Sequence, residues 1–184
     1  MKQQQGVSDV LAKIKAAIDP ETIFQTTTKE LCHLLQAERV AVYRFNAEWG
    51  GEFIHDFEYV TPNWLRSSKL GCNTAWNDTY LQETQGGRYR HNDTFVVDDV
   101  YQAQLSPCHR EILEQFHIRA FATAPVFVGG KLWGVLAAYQ HSQARHWLST
   151  DILFLSQIAI SLGLALQQAD LLGQAQGGIG YYQR

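Results

Sequence analysis

Apolar residues recur at Val7, Val10, Leu11, Ile14, Ala17 and Ile18, a spacing that lays them along one stripe and predicts an amphipathic helix over 7–18. Asp19 followed by Pro20 offers an N-cap and a first-turn proline, so a second helix is expected to start there and run through Ile23, Phe24, Leu31, Leu34 and Leu35. From Arg39 the pattern turns β-branched and aromatic. RVAVYRF (39–45), the turn NAEWGG and EFIHDFEY (52–59) predict a β-hairpin. TFVVDDV (94–100) reads as a further strand. Ser106, Pro107 and the run from Cys108 to Phe116, apolar at Ile112, Leu113 and Phe116, predict a short helix that begins at the cysteine. Ala120 to Val128 and Lys131 to Gln140 flank Gly129-Gly130 as a second hairpin, in which Pro125 suggests an edge or a bulge. Ser149 or Thr150 is expected to cap a long apolar helix through Leu153, Ile158, Leu162 and Leu166 to about Leu172, followed by a frayed tail, GGIGYYQR.

This order, with consecutive strands joined by tight turns, predicts an α+β fold: a central antiparallel β-sheet flanked by helices. The polar stretch from Thr61 to Asn92 is rich in Trp, Tyr and Gly and lacks a sustained period. It is long for a plain connection, and such segments commonly bind something. At 184 residues a single domain is expected, with its core over about 20–172. The N- and C-terminal helices flank that core as they would in a module that continues into neighbouring signalling domains, and they offer a surface for a homodimer.

Composition removes several function classes. A net charge of -3 and a pI near 6.1, with Lys and Arg scattered singly, leave no basic stripe for a phosphate backbone, so nucleic acid is not an expected partner. Apolar runs such as Leu132 to Tyr139 are about half a bilayer span and MKQQQGVSDV has no hydrophobic signal region; a soluble, cytoplasmic domain with no membrane span is expected. Cys32, Cys72 and Cys108 form no CxxC pair, which disfavours a structural metal or a disulfide framework.

Adjacent helical side chains do not face each other, so Cys108 and His109 do not readily make a nucleophile and general-base dyad, and no enzymatic activity is expected. The same geometry lets thiol and imidazole grip different parts of one broad, planar ligand. The bland alternative makes Cys108 a small buried hydrophobe and His109 a surface residue.

SPCHREILEQF (106–116), WNDTYLQETQGGRY (76–89) and LWGVLAAYQ (132–140) together resemble the GAF domains of cyanobacteriochromes, in the phytochrome superfamily, and in particular the red/green-absorbing group. The likeness extends from about Ala37 to Leu172. It implies a GAF fold and a photosensory role in which phycocyanobilin, a linear tetrapyrrole, is held by a thioether to Cys108 and light drives 15Z/15E isomerisation. It also implies that His109 packs near the pyrrole nitrogens, that Asp78 accepts from the pyrrole N–H groups, that Trp76 stacks near ring D, that Arg88 clamps a propionate with Tyr89 close by, and that Tyr139 lines the pocket. A carboxylate such as Asp78 has an independent physical warrant, because a protonated bilin buried without a counter-charge is costly. Where dual-cysteine relatives carry a second cysteine, two residues after the aspartate, this chain has Tyr80; Cys72 and Cys32 are read as packing residues, and no blue or violet state is expected. Tyr80 also opens biliverdin, beside phycoviolobilin, as an alternative pigment, and Leu105 stands where relatives often place a histidine. The competing function is a GAF domain that binds a diffusible ligand such as a cyclic nucleotide, which would need no cysteine at 108.

Overall fold

The computed structural model describes the backbone of residues 2–61, 64, 75–76 and 79–175, and their side chains apart from 2–3, 51–57 and 75–76. Helices α1 (Lys2–Ala16) and α2 (Pro20–Leu35) are separated by the expected cap: the Asp19 carboxylate accepts from the Thr22 N–H at 2.9 Å with Pro20 at the first helical position. Strands β1 (Arg39–Phe45) and β2 (Gly51–Val60) form the first hairpin. The stretch without a sustained period, where a short strand or helical turn is compatible with the sequence, holds a two-residue strand β3 (Ala75–Trp76), a short helix α3 (Thr79–Thr84) and a 3₁₀ helix (Gly87–His91). Then come β4 (Phe95–Val97), α4 (Pro107–Gln115), the hairpin β5 (Ala120–Val128) and β6 (Lys131–Gln140), and α5 (Ser149–Ala175). The strands form one sheet in the order β3-β2-β1-β6-β5-β4, antiparallel at each pairing.

Alternation along the three central strands sorts side chains to two faces. Val40, Val42, Ala122, Ala124, Val126, Leu136 and Ala138 lie under a layer made by α1, α2 and α5, in a core that includes Ile14, Phe24, Leu31, Leu155 and Leu162. Ala41, Tyr43, Phe45, Phe121, Val135, Ala137 and Tyr139 point the other way, toward α4 and the 3₁₀ helix. β1, with six of its seven residues buried, is covered on both sides.

Several expectations need correction. β4 is shorter than 94–100, because Asp98 and Asp99 leave the ladder to bond elsewhere: Asp98 to His146 and the Trp147 N–H, Asp99 to Nε and one terminal nitrogen of Arg119, each at 2.9 Å. Pro125 lies in an internal strand, not an edge strand. It is tolerated since β4 pairs only with Phe121 to Thr123, and the expected irregularity follows between Val126 and Phe127. Ser149 is the first residue of α5 rather than its cap; the Asp151 carboxylate reaches back to the Leu148 N–H at 3.1 Å. By length and composition α5 is apolar enough to cross a membrane, with mean hydropathy 1.6, but 56% of that window is buried in the fold, as in a core helix, so it is weak evidence of a span.

The segment 141–148 joins the layers. Glu38 accepts from the backbone N–H groups of His141 and Ser142; burial opposes its ionisation, but these donors outweigh it and hold the carboxyl below its usual range. Arg145 donates to the Leu35 carbonyl at 2.7 Å and to Asp151 at 3.3 Å. His141 is buried, donates through Nδ1 to the His117 carbonyl at 2.8 Å, and is pushed down to about 4, chiefly by burial.

Two expectations on stability follow. Unfolded His141 binds a proton near pH 6.5 and folded His141 only near pH 4, so its contribution is complete above the former and lost as pH falls toward the latter, by roughly 2–3 kcal/mol at pH 4.5. Urea melts at stepped pH should show that loss, and His141→Asn should flatten the slope between pH 6.5 and 4.5; an equal slope in both proteins contradicts it. A Cβ on Gly163 of α5 would lie 2.0 Å from the Phe127 carbonyl oxygen, whereas one on Gly173 meets nothing within 4 Å. Gly163→Ala should therefore cost about 1–3 kcal/mol while Gly173→Ala is neutral or gains up to about 1 kcal/mol, read by the same melts.

Candidate functional site

The face of the sheet turned away from α1, α2 and α5 carries a cavity of about 260 Å³. Its floor is sheet: Tyr43 and Phe45 from β1, Phe121 and Thr123 from β5, Val135, Ala137 and Tyr139 from β6. Its walls are Tyr80 and Leu81 of α3, Arg88 and Tyr89 of the 3₁₀ helix, and Gln104 to Ser106 with His109 and Leu113 around the start of α4.

α4 starts as its sequence dictates. The Ser106 hydroxyl accepts from the His109 N–H at 3.2 Å and Pro107 takes the first helical position. Cys108 follows at the second position, its side chain exposed beside cavity-lining Ser106 and His109. This excludes the buried-hydrophobe alternative for that thiol. His109 is half-buried, its ring 5.9 Å from Phe95 and 6.0 Å from Phe121, so imidazole and thiol do point to different places. Cys32, by contrast, is a packing residue: it is buried, its thiol donates to the Ala37 carbonyl at 3.0 Å, and burial pushes it up to about 12.

Arg88 is held flat. Its guanidinium carbon lies 3.8 Å from the centroid of the Phe95 ring, a cation–π contact that keeps the charge at the cavity wall. Its neighbour Tyr89 is buried, with its hydroxyl 2.9 Å from the Thr123 hydroxyl, which is itself 3.3 Å from the Phe95 carbonyl. Since a carbonyl only accepts, Thr123 donates to Phe95 and Tyr89 donates to Thr123. The relay ties the 3₁₀ helix to β5 and β4 and fixes the backbone from which Arg88 projects. Tyr139 is fully buried; burial, then the nearby Tyr89, pushes its phenol well above the ordinary range, so it stays neutral. Arg39 and Glu58, paired at 3.2 Å and buried, stand at the same end of the sheet.

Of the residues singled out from sequence, Tyr80, Arg88, Tyr89, His109 and Tyr139 are brought together around this one cavity with Leu105 in its wall, while Cys108, exposed, does not line it and adjoins it only as the chain neighbour of His109. Tyr80 is half-exposed, and its ring packs so near Gly87 that a Cβ there would lie 2.5 Å from it. Trp76 is placed by its backbone alone, in β3 opposite Gly51. Asp78 and Cys72 lie outside the described residues. Sequence reading passed over Tyr43, Phe45, Phe95, Phe121, Thr123 and Gln104. The period-2 register could have found four of them, because Tyr43, Phe45, Phe121 and Thr123 share the face of Tyr139.

Among known families, the GAF domain model matches residues 19–166. The solved structure of the red light-absorbing state of NpR6012g4, a red/green cyanobacteriochrome, is 52% identical in sequence, with a TM-score of 0.76 over 84% of this chain and 97% of that one. This chain belongs to the cyanobacteriochrome GAF domains. The photoproduct state of GAF3 from Slr1393 of Synechocystis sp. PCC6803 is 49% identical, with a TM-score of 0.79 over 86% of this cyanobacteriochrome domain and 99% of that chain. The far-red absorbing dark state of JSC1_58120g3 with bound biliverdin IXa is 38% identical, with a TM-score of 0.81 over 89% and 98%. A curated Synechocystis sp. relative named for methyl-accepting chemotaxis (sll0041) is 35% identical over 94% of the chain, which spans 17% of that relative's length. Other curated matches, three circadian input-output histidine kinases of cyanobacteria, are likewise covered over only about a quarter of their length.

The Tyr89–Thr123–Phe95 relay gives this cyanobacteriochrome GAF domain a measurable coupling. Thr123→Val and Tyr89→Phe should each cost about 1–2 kcal/mol in urea melts, and the double variant about as much as either alone, a coupling of about 1–2 kcal/mol. Fully additive costs contradict the relay.

Proposed function

We propose that this GAF domain is a bilin-binding photoreceptor module that holds phycocyanobilin through a thioether on Cys108 and switches between red- and green-absorbing states. The observation that carries this reading is an aromatic-floored cavity walled by His109 and by the Arg88 guanidinium held over Phe95, with the exposed Cys108 next to His109 in the first turn of α4. A broad, planar, anionic-tailed ligand fits that donor set: apolar walls for its rings, Arg88 for a carboxylate in bidentate fashion, a nucleophilic sulfur at the edge. The bilin supplies what no side chain can, absorption of visible light and a double bond that isomerises.

The chain's own residues do the rest. Cys108 anchors one end of the ligand, Arg88 and Tyr89 fix a propionate, and His109, Trp76, Tyr80 and Tyr139 bound the rings. Asp78 supplies the carboxylate that balances a protonated bilin. The neutral, buried Tyr139 offers a hydroxyl without adding a charge. The neighbouring structures, a red/green cyanobacteriochrome and one with bound biliverdin, support the bilin class; the likeness at 52% identity favours red/green switching. Tyr80 in place of a second cysteine argues against a doubly linked, blue-shifted pigment. The domain turns over no substrate, acts in the cytoplasm, and passes its signal through the terminal helices to output domains of a larger sensor. A cyclic-nucleotide reading is not favoured, because reversible binding gives no role to a thiol presented beside the cavity.

Co-expression with bilin-synthesis genes and zinc-stained denaturing electrophoresis tests the reading: the wild type should carry a fluorescent band that Cys108→Ala loses, and red light should convert its absorption toward green. A colourless wild type, or covalent pigment retained by Cys108→Ala, overturns it. Arg88→Ala should keep the band and blur or shift the absorption, since anchoring survives while one propionate is released.

A further inference from the structure

The β1–β6 ladder ends at Arg44 and Gly134, and a second cavity, of about 550 Å³, opens between the tips of the two hairpins. It has only Phe45 in common with the cavity described above. Arg44, Arg90 and Lys131 line it and no acidic side chain among the described residues does, in a chain whose net charge is -3. Arg90 and Lys131 are exposed. Among the described residues Arg90 donates to neutral acceptors alone, the Thr84 carbonyl at 3.5 Å and Gln85 Oε1 at 3.3 Å. Two indoles share the lining, and each is backed by the core: Trp49 lies 5.7 Å from the Phe45 ring, and Trp133 stacks on Phe24 at 5.8 Å. Trp49 is held there at φ 61, a left-handed conformation unfavourable for a bulky side chain. Gly86 leaves room for the groups to converge, since a Cβ on it would lie 3.1 Å from the Trp49 ring and 3.3 Å from Cγ of Arg90.

We infer that this cleft is a second ligand site, which takes a small planar aromatic anion: a ring system that bears a phosphate or a carboxylate. The lining divides the work. Trp49 and Trp133 offer indole faces on which a planar ring stacks. Arg90 supplies a planar fork and Lys131 a point charge for the anionic group, and no described carboxylate competes for them. A simple inorganic anion would leave the indoles without a role, and a neutral ring would leave the cations without one. A nucleic-acid strand is a poorer occupant, because the chain as a whole is negative. The volume suits a small molecule, since such sites commonly span about 300–1,000 Å³. The site does not rest on the bilin reading, because the two cavities share one side chain and no cation.

Proton–nitrogen NMR of the isotope-labelled chain, purified after co-expression with bilin-synthesis genes, tests the site through the tryptophan indole N–H signals. Trp49→Phe and Trp133→Phe assign the two that matter. The probes are naphthyl phosphate and naphthoate, with naphthalenemethanol as the ring alone and inorganic phosphate as the anion alone. Both naphthyl anions should shift the Trp49 and Trp133 signals and leave that of Trp147, which is buried and bonded to the Val97 carbonyl, in place. The tighter of the two should bind with a Kd of about 0.1 mM, and ring or phosphate alone at least about tenfold more weakly. Their order tells whether phosphate or carboxylate is the preferred group. Arg90→Ala and Lys131→Glu should each weaken binding about tenfold or more; both residues are exposed, and either variant carries the test if the other does not fold. Neither Trp49 nor Trp133 shifting with about 5 mM of either naphthyl anion, naphthalenemethanol binding equally well, or affinity unchanged in the charge variants overturns the proposal. Pigmented and colourless protein should give the same result, so its failure is separable from failure of the bilin reading.

Discussion

Register in the three central strands is the constraint on which the rest depends. β1, β5 and β6 are covered on both faces, so each residue must suit the side it is sent to, and a slip by one position would exchange the two. The odd positions of β1, Ala41, Tyr43 and Phe45, align with Val135, Ala137 and Tyr139 of β6 and with Phe121 and Thr123 of β5, which makes an aromatic floor. The even positions supply small and branched aliphatics to the helix layer. Cavity and structural core are therefore the two sides of one decision. The aliphatic side supports the fold and frees the aromatic side to be hollow.

Around that floor, short elements carry the polar groups and each is pinned by a specific interaction. The Ser106 cap and Pro107 set the first turn of α4, which presents Cys108 outward and His109 inward. The relay through Thr123 and the Phe95 ring immobilise Tyr89 and Arg88 on the 3₁₀ helix. Thiol and imidazole that diverge are poorly placed for nucleophilic catalysis and well placed to hold two parts of one large ligand, which is why the same motif argues against an enzyme and for a carrier of a prosthetic group. The segment 141–148 ties the end of α4 through the His117 carbonyl to the ends of α2 and the start of α5, so the cavity and the outer helices share one set of connections.

Much of this was legible in the sequence wherever a local rule acts alone. The Asp19-Pro20 start, the hairpin at Gly129-Gly130 and the limits of β1, β5 and β6 are dictated by neighbours a few residues apart. What escaped needed partners far along the chain. β4 shortens because Asp98 and Asp99 find His146 and Arg119, and Pro125 is tolerated inside the sheet because β4 ends early. Phe95, unremarkable in sequence, matters only once Arg88 and His109 are beside it. The apolar composition of α5 was plain, but which of its residues face outward is a tertiary fact. Tyr80, Arg88, Tyr89, His109 and Tyr139 were chosen by family likeness and cluster around one cavity, while Asp78 lies outside the described residues.

The central claim is that one thiol, made available by the start of α4, anchors a bilin above the aromatic floor. Peptide mapping by mass spectrometry, after tryptic digestion of the pigmented protein, tests it most directly. The account predicts one bilin mass per chain on the tryptic peptide 91–110, which contains Cys108 and no other cysteine. Bilin mass on the peptides that contain Cys32 or Cys72, or none on 91–110, would contradict it.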